Sequence, residues 1–200
     1  METAPHTATA PSGDLAAIAE ARADSAERPY TEADVHFMSA MIGHHAQAIV
    51  MAGWAPTHGA SASVRTLAER VVNGQQDEIA VMQQWLRDRL KPVPEVTPTG
   101  VRMEMNGVEH EMHMPGMLSE AQMKALDQAR GAEFDRLFLT LMIQHHRGAV
   151  SMVKQLFDTY GAGQDHTVFK LASDVNVDQT TEIARMERML FMLELEKGSQ

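Results

Sequence analysis

Apolar residues recur with the spacing of an amphipathic helix in several long stretches of this chain. These stretches cover about residues 35–54, 64–90, 132–159 and 166–196. A capping box at Thr31-Glu-Ala-Asp34 opens the first stretch, and Pro56 ends it. The pattern therefore predicts an all-α fold built from four long helices.

The segments outside these stretches differ in composition. Residues 1–30 are rich in Ala, Pro, Ser and Thr, and we expect a flexible tail or linker with at most a short helix from Asp14. Residues 92–118 contain many prolines and glycines, which predicts a loop. A capping box at Ser119-Glu-Ala-Gln122 predicts a short helix over 119–130.

The long helices form two copies of one unit. Residues 34–51 align with 135–152 at an offset of 101, and eight of these eighteen positions are identical. The helices that follow align at an offset of 104. Each copy is thus a helical hairpin, in residues 31–91 and 132–197. Two such hairpins pack most simply as a ferritin-like four-helix bundle with approximate two-fold symmetry, so we expect residues 31–197 to form one domain.

The first helix of each hairpin carries the sequence Met-Ile-x-His-His. The two copies contain Met41, His44 and His45, and Met142, His145 and His146. On a helical wheel these histidines border the apolar arc, so we expect them to face the core. Met41 precedes His44 by three residues and His45 by four, so it can share a metal ion with either. Core packing alone is the alternative explanation for a methionine or histidine on such a face.

Thioether and imidazole donors together favour Cu(I) over Zn, Mg or Ca. The chain has 16 methionines, whereas average composition gives about four in a chain of this length. It has no cysteine, which excludes thiolate sites and disulfides. Further candidate ligands on the same helices are Met38, Met51 and Met152.

The predicted loop holds a second group of candidate ligands. Residues 103–117 contain five methionines and two histidines. A methionine in a loop has no obvious core to fill, and Met-x-Met and His-x-Met spacings suit a Cu(I) site of low coordination number. The alternative is that some of them pack under the loop against the bundle. The candidates are Met103, Met105, His110, Met112, His113, Met114 and Met117.

The second helix of each hairpin places a glutamate, Glu78 or Glu182, near the apolar face. Such a carboxylate can accept a hydrogen bond from a metal-binding histidine and fix its tautomer. An interhelical salt bridge or a solvated carboxylate is the alternative. The repeats also differ, because leucines replace His36 and Met38 in the second repeat. The two halves therefore need not bind metal equally.

Charge and composition exclude several classes of partner. The net charge of −10 argues against nucleic-acid binding, which needs a basic face. No apolar run approaches the roughly 18 residues of a membrane span. The N-terminus shows no secretory signal, so we expect a cytoplasmic protein or one whose signal has been removed. Two other functions stay open: a metal-free structural or interaction bundle, and a di-iron or di-manganese oxidoreductase, although the Glu-x-x-His motif of the latter does not occur.

The doubled motif also resembles a known family. Phe37-Met-x-x-Met-Ile-x-His-His-x-x-Ala-Ile and Phe134-Asp-x-x-Phe-Leu-x-x-Met-Ile-x-His-His-x-Gly-Ala-Val resemble the family called domain of unknown function 305. So does the lead-in from Pro115-Gly-Met-Leu-Ser to Gly131-Ala-Glu-Phe-Asp, and the likeness covers about residues 31–192. It implies a ferritin-like bundle and, through the CopM-type members, export from the cytoplasm and copper binding or copper tolerance. We therefore expect a copper-binding protein that buffers, sequesters or hands Cu(I) to a partner protein, and not an enzyme.

Overall fold

Long helices make up most of the chain in this computed structural model. The structure describes residues 12–27, 29–97, 100–105, 108–111 and 114–198. In chain order the helices there are α1 (Ser12–Glu27), α2 (Glu32–Gly53), α3 (Ala62–Asp88), α4 (Glu120–Gln128), α5 (Gly131–Asp158) and α6 (His166–Gly198). Helix α2 packs against α3, α5 packs against α6, and α2 packs against α5. The expected all-α four-helix bundle from two helical hairpins is confirmed.

The helix ends follow the predicted capping signals. At α2, the Thr31 hydroxyl accepts a hydrogen bond from the Asp34 amide at 3.3 Å, and the Asp34 carboxylate accepts one from the Thr31 amide at 2.6 Å. Ser119 and Gln122 form the same reciprocal pair at the start of α4. The bounds of the long helices lie within about three residues of those predicted, because periodicity and caps are local signals.

One described part of the N-terminal segment forms a longer helix than its composition predicts. Residues 12–27, where at most a short helix was expected, form the 16-residue helix α1, which lies against α3. Alanine has the highest intrinsic helix propensity, and this Ala-rich segment needs no strong apolar face to become helical once it has a neighbour.

The segment predicted as a loop also contains regular structure. In its described part, β1 (Glu95–Thr97), β2 (Gly100–Met105) and β3 (Val108–Glu111) form an antiparallel sheet in the order β1-β2-β3. Strands β1 and β2 lie alongside α2. Short strands can lie between closely spaced prolines and glycines, so the density of these residues in the sequence did not exclude a sheet.

Two buried aspartates at equivalent repeat positions tie the hairpins together. Asp34 of the first hairpin accepts a hydrogen bond from the Gly163 amide, in the turn of the second hairpin, at 2.7 Å. Asp135 of the second hairpin accepts one from the Ser61 amide, in the turn of the first, at 3.1 Å. Each hairpin therefore caps the turn of the other, which explains why the repeats keep this residue.

In the described residues, the apolar core divides into two clusters along the bundle. The first cluster joins the N-terminal half of α2 to the C-terminal half of α5, and the second cluster joins the opposite halves. Helices α2 and α5 therefore run antiparallel. Along both helices, the His-His pair lies between the residues that belong to the two clusters. This arrangement places a buried polar band at the middle of the bundle.

Candidate metal centre

The two His-His pairs meet where α2 and α5 cross. The ring centroids of His44 and His145 are 3.8 Å apart. Within each pair the centroids are 6.5 Å apart on α2 and 6.3 Å apart on α5. The relative exposure of all four residues is 0%. The structure thus brings together the four histidines that the sequence singled out and removes them from water.

The second histidine of each pair is held by a glutamate from the second helix of its own hairpin. His45 Nε2 donates to Oε2 of Glu78 at 2.6 Å, and His146 Nε2 donates to Oε2 of Glu182 at 2.7 Å. Both carboxylates are partly exposed, with side-chain exposures of 18% and 21%. This is the contact that the repeated glutamate suggested, and it orients both imidazoles in the same way.

The first histidines of the two pairs are not equivalent. His44 Nε2 lies 3.0 Å from the carbonyl oxygen of Pro115, and a carbonyl can only accept, so Nε2 carries the proton. His145 occupies the matching repeat position, but among the described residues neither of its ring nitrogens makes a hydrogen bond of ordinary geometry, and its weak polar contact is with the backbone of His44 instead of the strap. The internal symmetry of the repeat is therefore broken at its centre.

Several buried ring nitrogens at this centre lack partners. Within the described residues these are Nδ1 of His44, His45 and His146 and both nitrogens of His145. In a neutral imidazole whose Nε2 donates, Nδ1 carries the lone pair. More than nine in ten buried polar groups in proteins are hydrogen-bonded, so a cluster of unpaired lone pairs is unusual. A metal ion bound by one or two of these nitrogens would satisfy their lone pairs without further hydrogen-bond donors.

Burial keeps the two central histidines neutral. Desolvation lowers the pKa of His44 to about 3, with the nearby His45 adding to the shift and the Pro115 hydrogen bond opposing it. Desolvation also lowers the pKa of His145 well below its ordinary value, and the neighbouring His44 and His146 add to that shift. Neutral imidazole is the form that binds metal, so neither side chain must lose a proton at pH 7 before it can act as a ligand.

Each core cluster contains a set of methionines drawn from both repeats. The first cluster holds Met41, Met82 and Met152, and the second holds the repeat-related Met142, Met186 and Met51. Of these, Met152 is 6% exposed and the others are 0% exposed. We call these groups the first and second methionine sets. Met38 adds a further fully buried thioether to the first cluster.

The methionine sets contain residues that the sequence analysis did not include among its candidate ligands. Met82 and Met186 lie four residues after Glu78 and Glu182, on the same face of α3 and α6. The alignment of the second helices already paired Met82 with Met186, so the sequence could have pointed to both. No pattern in the sequence predicted that Met51 and Met152 would each pack with methionines of the other repeat. A helical wheel does not show which helix of the other hairpin a residue faces.

The methionine-rich segment does not form one unit in the structure. Met103, Met105 and His110 belong to β2 and β3, where Met103 pairs with His110 through the backbone. Met112 and His113 lie outside the described residues. Met114 is buried in the first cluster and Met117 packs against that cluster, as the packing alternative had it. These last two therefore lie close to the core methionines.

Residues 114–118, here called the strap, cross α5 at Gly148. A Cβ atom on Gly148 would lie 2.0 Å from the carbonyl oxygen of Pro115, and one on Gly116 would lie 2.7 Å from the Gly148 Cα. Gly116 also has a φ of +79°, which favours glycine. The strap therefore packs directly on the helix backbone at a point where no side chain fits.

Gln47 holds the strap from the other side. Its Nε2 donates to the Leu118 carbonyl at 3.1 Å, and its Oε1 accepts from the Leu118 amide at 2.8 Å. Gln47 and Gly148 occupy equivalent positions in the two repeats. At this position the first repeat has Gln47, whose side-chain amide binds the strap, and the second repeat has Gly148, which leaves room for the strap. Of these two histidines, only His44 therefore makes a hydrogen bond to the strap.

The donor set determines which metals suit this centre. Across the described residues, no three His, Asp or Glu side chains gather in a way that could hold a metal ion. The carboxylate-rich site of a di-iron or di-manganese enzyme does not fit that arrangement. An ion bound by the buried imidazoles must draw further ligands from methionine sulfur, and that combination suits soft Cu(I).

Comparison with known proteins agrees with this architecture. The family model described as domain of unknown function (DUF305) matches residues 34–190. A candidate secreted DUF305 protein from Streptomyces coelicolor is 30% identical, with a TM-score of 0.67 over 81% of this chain and 92% of its own. A DUF305 fragment from Deinococcus radiodurans is 29% identical, with a TM-score of 0.66 over 82% of this chain and 98% of its own.

CopM, a protein of similar structure, has been solved with metals. Its Cu(I)-bound form is 28% identical to this chain, with a TM-score of 0.58 over 78% of this chain and 94% of its own. CopM structures with Cu(II), with silver and without metal also match. A search of curated protein sequences gives no match. The resemblance that the doubled His-His motif carries is confirmed, and the chain belongs to the domain of unknown function 305 family.

Proposed function

We propose that this protein binds copper as Cu(I) inside the helical bundle and serves to buffer, sequester or hand on the metal. The observation that carries the proposal is the buried cluster of unpartnered imidazole nitrogens on α2 and α5, flanked by the two methionine sets. Buried polar atoms without a partner are unfavourable. A soft cation would bind both nitrogen and sulfur there without adding a buried negative charge.

The hydrogen bonds around the histidines indicate which atoms would bind. Nε2 of His44, His45 and His146 is engaged by a carbonyl or a carboxylate. We therefore propose Nδ1 as the ligand atom of these three residues, with the acceptor on Nε2 fixing the tautomer. Sulfur ligands would come from the methionine sets, in which Met41 and Met142 lie one helical turn from the histidines.

The choice of copper has two further supports. All the donors named are neutral, and soft neutral donors prefer Cu(I) to Zn(II), Mg(II) or Ca(II). The structurally similar CopM has been solved with Cu(I), Cu(II) and silver, at 28–30% identity to this chain. Silver as Ag(I) has the same charge and softness as Cu(I) and offers an air-stable probe of the same sites.

An anaerobic Cu(I) titration against a competing chromophoric chelator tests the proposal. We expect micromolar or tighter affinity in the wild type, and a large loss when His44, His45, His145 and His146 are all changed to Ala. His166→Ala, at an exposed position, is the matched control. Because the quadruple variant removes much core volume, Met41→Leu with Met142→Leu provides a second test that preserves it. Absence of binding, or equal binding by all variants, contradicts the proposal.

A metal-free structural bundle is the competing function. Three of the four histidines already have one hydrogen-bond partner, which such a bundle also requires. The melting temperature separates the two functions, because a ligand that binds only the native state raises stability by about 4 kcal/mol at 1,000 times its Kd. A melting temperature unchanged by saturating Cu(I) favours the metal-free bundle.

We propose further that the protein acts outside the cytoplasm and is a binding protein, not an enzyme. A structurally similar member of the family is a candidate secreted protein. In the described residues no helix is both long and apolar enough to cross a membrane. A site without cysteine also suits an oxidising compartment, where thiolates form disulfides. Fractionation of cells that produce the native protein tests the location.

A further inference from the structure

A groove between α2 and α5 opens to solvent beside the first core cluster. It has a volume of about 500 Å³, and one of its walls is the strap. His36 from α2, Met114 from the strap and Met152 from α5 all line it. His36 is exposed, whereas Met114 and Met152 are 7% and 6% exposed. Three potential metal donors from three different segments therefore share one accessible space.

Among the described residues, the groove is lined by no acidic side chain. Its other polar residues are Gln155 and Thr159, and the remaining lining residues are apolar. A divalent cation such as Mg(II) or Ca(II) requires oxygen ligands, usually with carboxylates among them. Two thioethers and an imidazole instead suit a soft monovalent ion such as Cu(I) or Ag(I).

The groove leads towards the buried histidines through further soft donors. Met152 lines the groove and also belongs to the first methionine set, with Met41 and Met82. Met41 lies one helical turn from His44 on α2. Pro115, on the groove wall, is the residue whose carbonyl accepts the hydrogen bond from His44. The groove therefore borders the core cluster that holds further sulfur donors, and its strap wall contacts the imidazole cluster.

The repeat-related positions in the second half do not offer the same three donors. Leu137 replaces His36 in the second repeat. Met51, the counterpart of Met152, is 0% exposed. The strap, which supplies Met114, crosses α5 at Gly148 and is held from α2 by Gln47. A metal ion that uses these three donors would therefore enter the bundle from the side of the groove.

We propose that the groove is an acquisition site, in which His36, Met114 and Met152 bind one soft monovalent metal ion before it passes to the buried histidines. The inference rests on the proposed function, since an entry site needs a destination. It adds a separate, solvent-accessible site to the buried centre. It also explains why only the first repeat has a histidine at this position, where the second repeat has Leu137.

Methionine-methyl NMR with Ag(I) as the probe tests where metal binds first. With less than one equivalent of Ag(I), we expect the methyl signals of Met114 and Met152 to shift in the variant with all four core histidines changed to Ala, in which the ion cannot pass on from the groove. Met123, which is buried in α4 away from the groove, provides the control signal and should not move. If the Met114 signal does not shift in that variant, the inference is overturned.

Loading kinetics provide a second test that does not depend on the quadruple variant folding. We compare the rate of Cu(I) transfer from a weak chelator to the wild type and to a variant with His36→Leu, Met114→Leu and Met152→Leu, which retains bulk and apolar character. We expect loading to slow by about tenfold or more, while Met123→Leu loads at the wild-type rate. If the triple variant loads as fast as the wild type, the groove is not the entry site, although the proposed function stands. If the wild type binds no Cu(I) at all, both fail.

Discussion

Replacing Gly148 with alanine should destabilise the protein, against the usual effect of this change in a helix. Alanine in a helix interior is favoured over glycine by about 1 kcal/mol. At Gly148, however, the new Cβ would meet three backbone atoms of the strap, at 2.0, 2.5 and 2.6 Å. Backbone atoms cannot rotate away, so the strap must move by about 1.4 Å to restore ordinary contact with the Pro115 oxygen.

A shift of that size would disrupt the hydrogen bonds that hold the strap. These are the bond from His44 to Pro115 and the two bonds between Gln47 and Leu118. At about 1 kcal/mol each, their loss costs about 3 kcal/mol. The gain in helix propensity offsets about 1 kcal/mol of this. We therefore expect the free energy of unfolding to fall by about 2 kcal/mol in Gly148→Ala.

Urea denaturation followed by far-UV circular dichroism measures this difference, and the chain contains a matched control. Gly74 also lies inside a long helix, α3, but a Cβ there would meet nothing within 4 Å. Gly74→Ala should therefore raise the free energy of unfolding by about 1 kcal/mol. Opposite signs for the two substitutions support the strap contact. A Gly148→Ala protein as stable as the wild type, or more stable, refutes it.

Other predictions concern protonation and metal affinity. The folded-state pKa of His44, about 3, lies below its unfolded value of about 6.5. The protein should therefore lose stability as the pH falls from 6.5 towards 3, by up to about 1.4 kcal/mol per pH unit. Urea denaturation at several pH values should show a shallower pH dependence for His44→Gln. In chelator competition, Glu78→Gln should weaken Cu(I) binding by about tenfold to a hundredfold, whereas the exposed Glu187→Gln should not. Met82→Leu should weaken Cu(I) binding by about tenfold with little change in stability, unlike Met123→Leu, which should change neither.

Sequence patterns predicted the helices well because their signals are local. Apolar periodicity, the capping boxes and the offset between the repeats all lie within short segments, and the observed helix bounds follow them. The core-facing histidines and the glutamate contacts followed from the same periodicity, since α2 with α3 and α5 with α6 are neighbours in sequence. Helix α1 and the strands β1 and β2 were harder to predict from the sequence, because α1 packs against α3 and these strands pack against α2.

Contacts between distant segments could not be read from the sequence. The strap meets Gly148 and Gln47 only after both hairpins have packed, so neither residue suggested a role in orienting His44. The composition of the methionine sets likewise depends on the antiparallel crossing of α2 and α5, which brings Met152 to the residues of the first repeat. The leucines that replace His36 and Met38 in the second repeat already indicated that the halves need not be equivalent, but nothing in the sequence indicated that the strap would contact them differently.

Anomalous diffraction at the copper edge from crystals loaded anaerobically with Cu(I) tests the central claim most directly. The account predicts copper peaks inside the bundle, within bonding distance of Nδ1 of His44, His45 or His146. Each peak should also lie within bonding distance of sulfur atoms from a methionine set. In the same crystals, Nε2 of His45 and His146 should keep its carboxylate partner. Copper found only outside the bundle core, or bound only by oxygen ligands, would contradict the account.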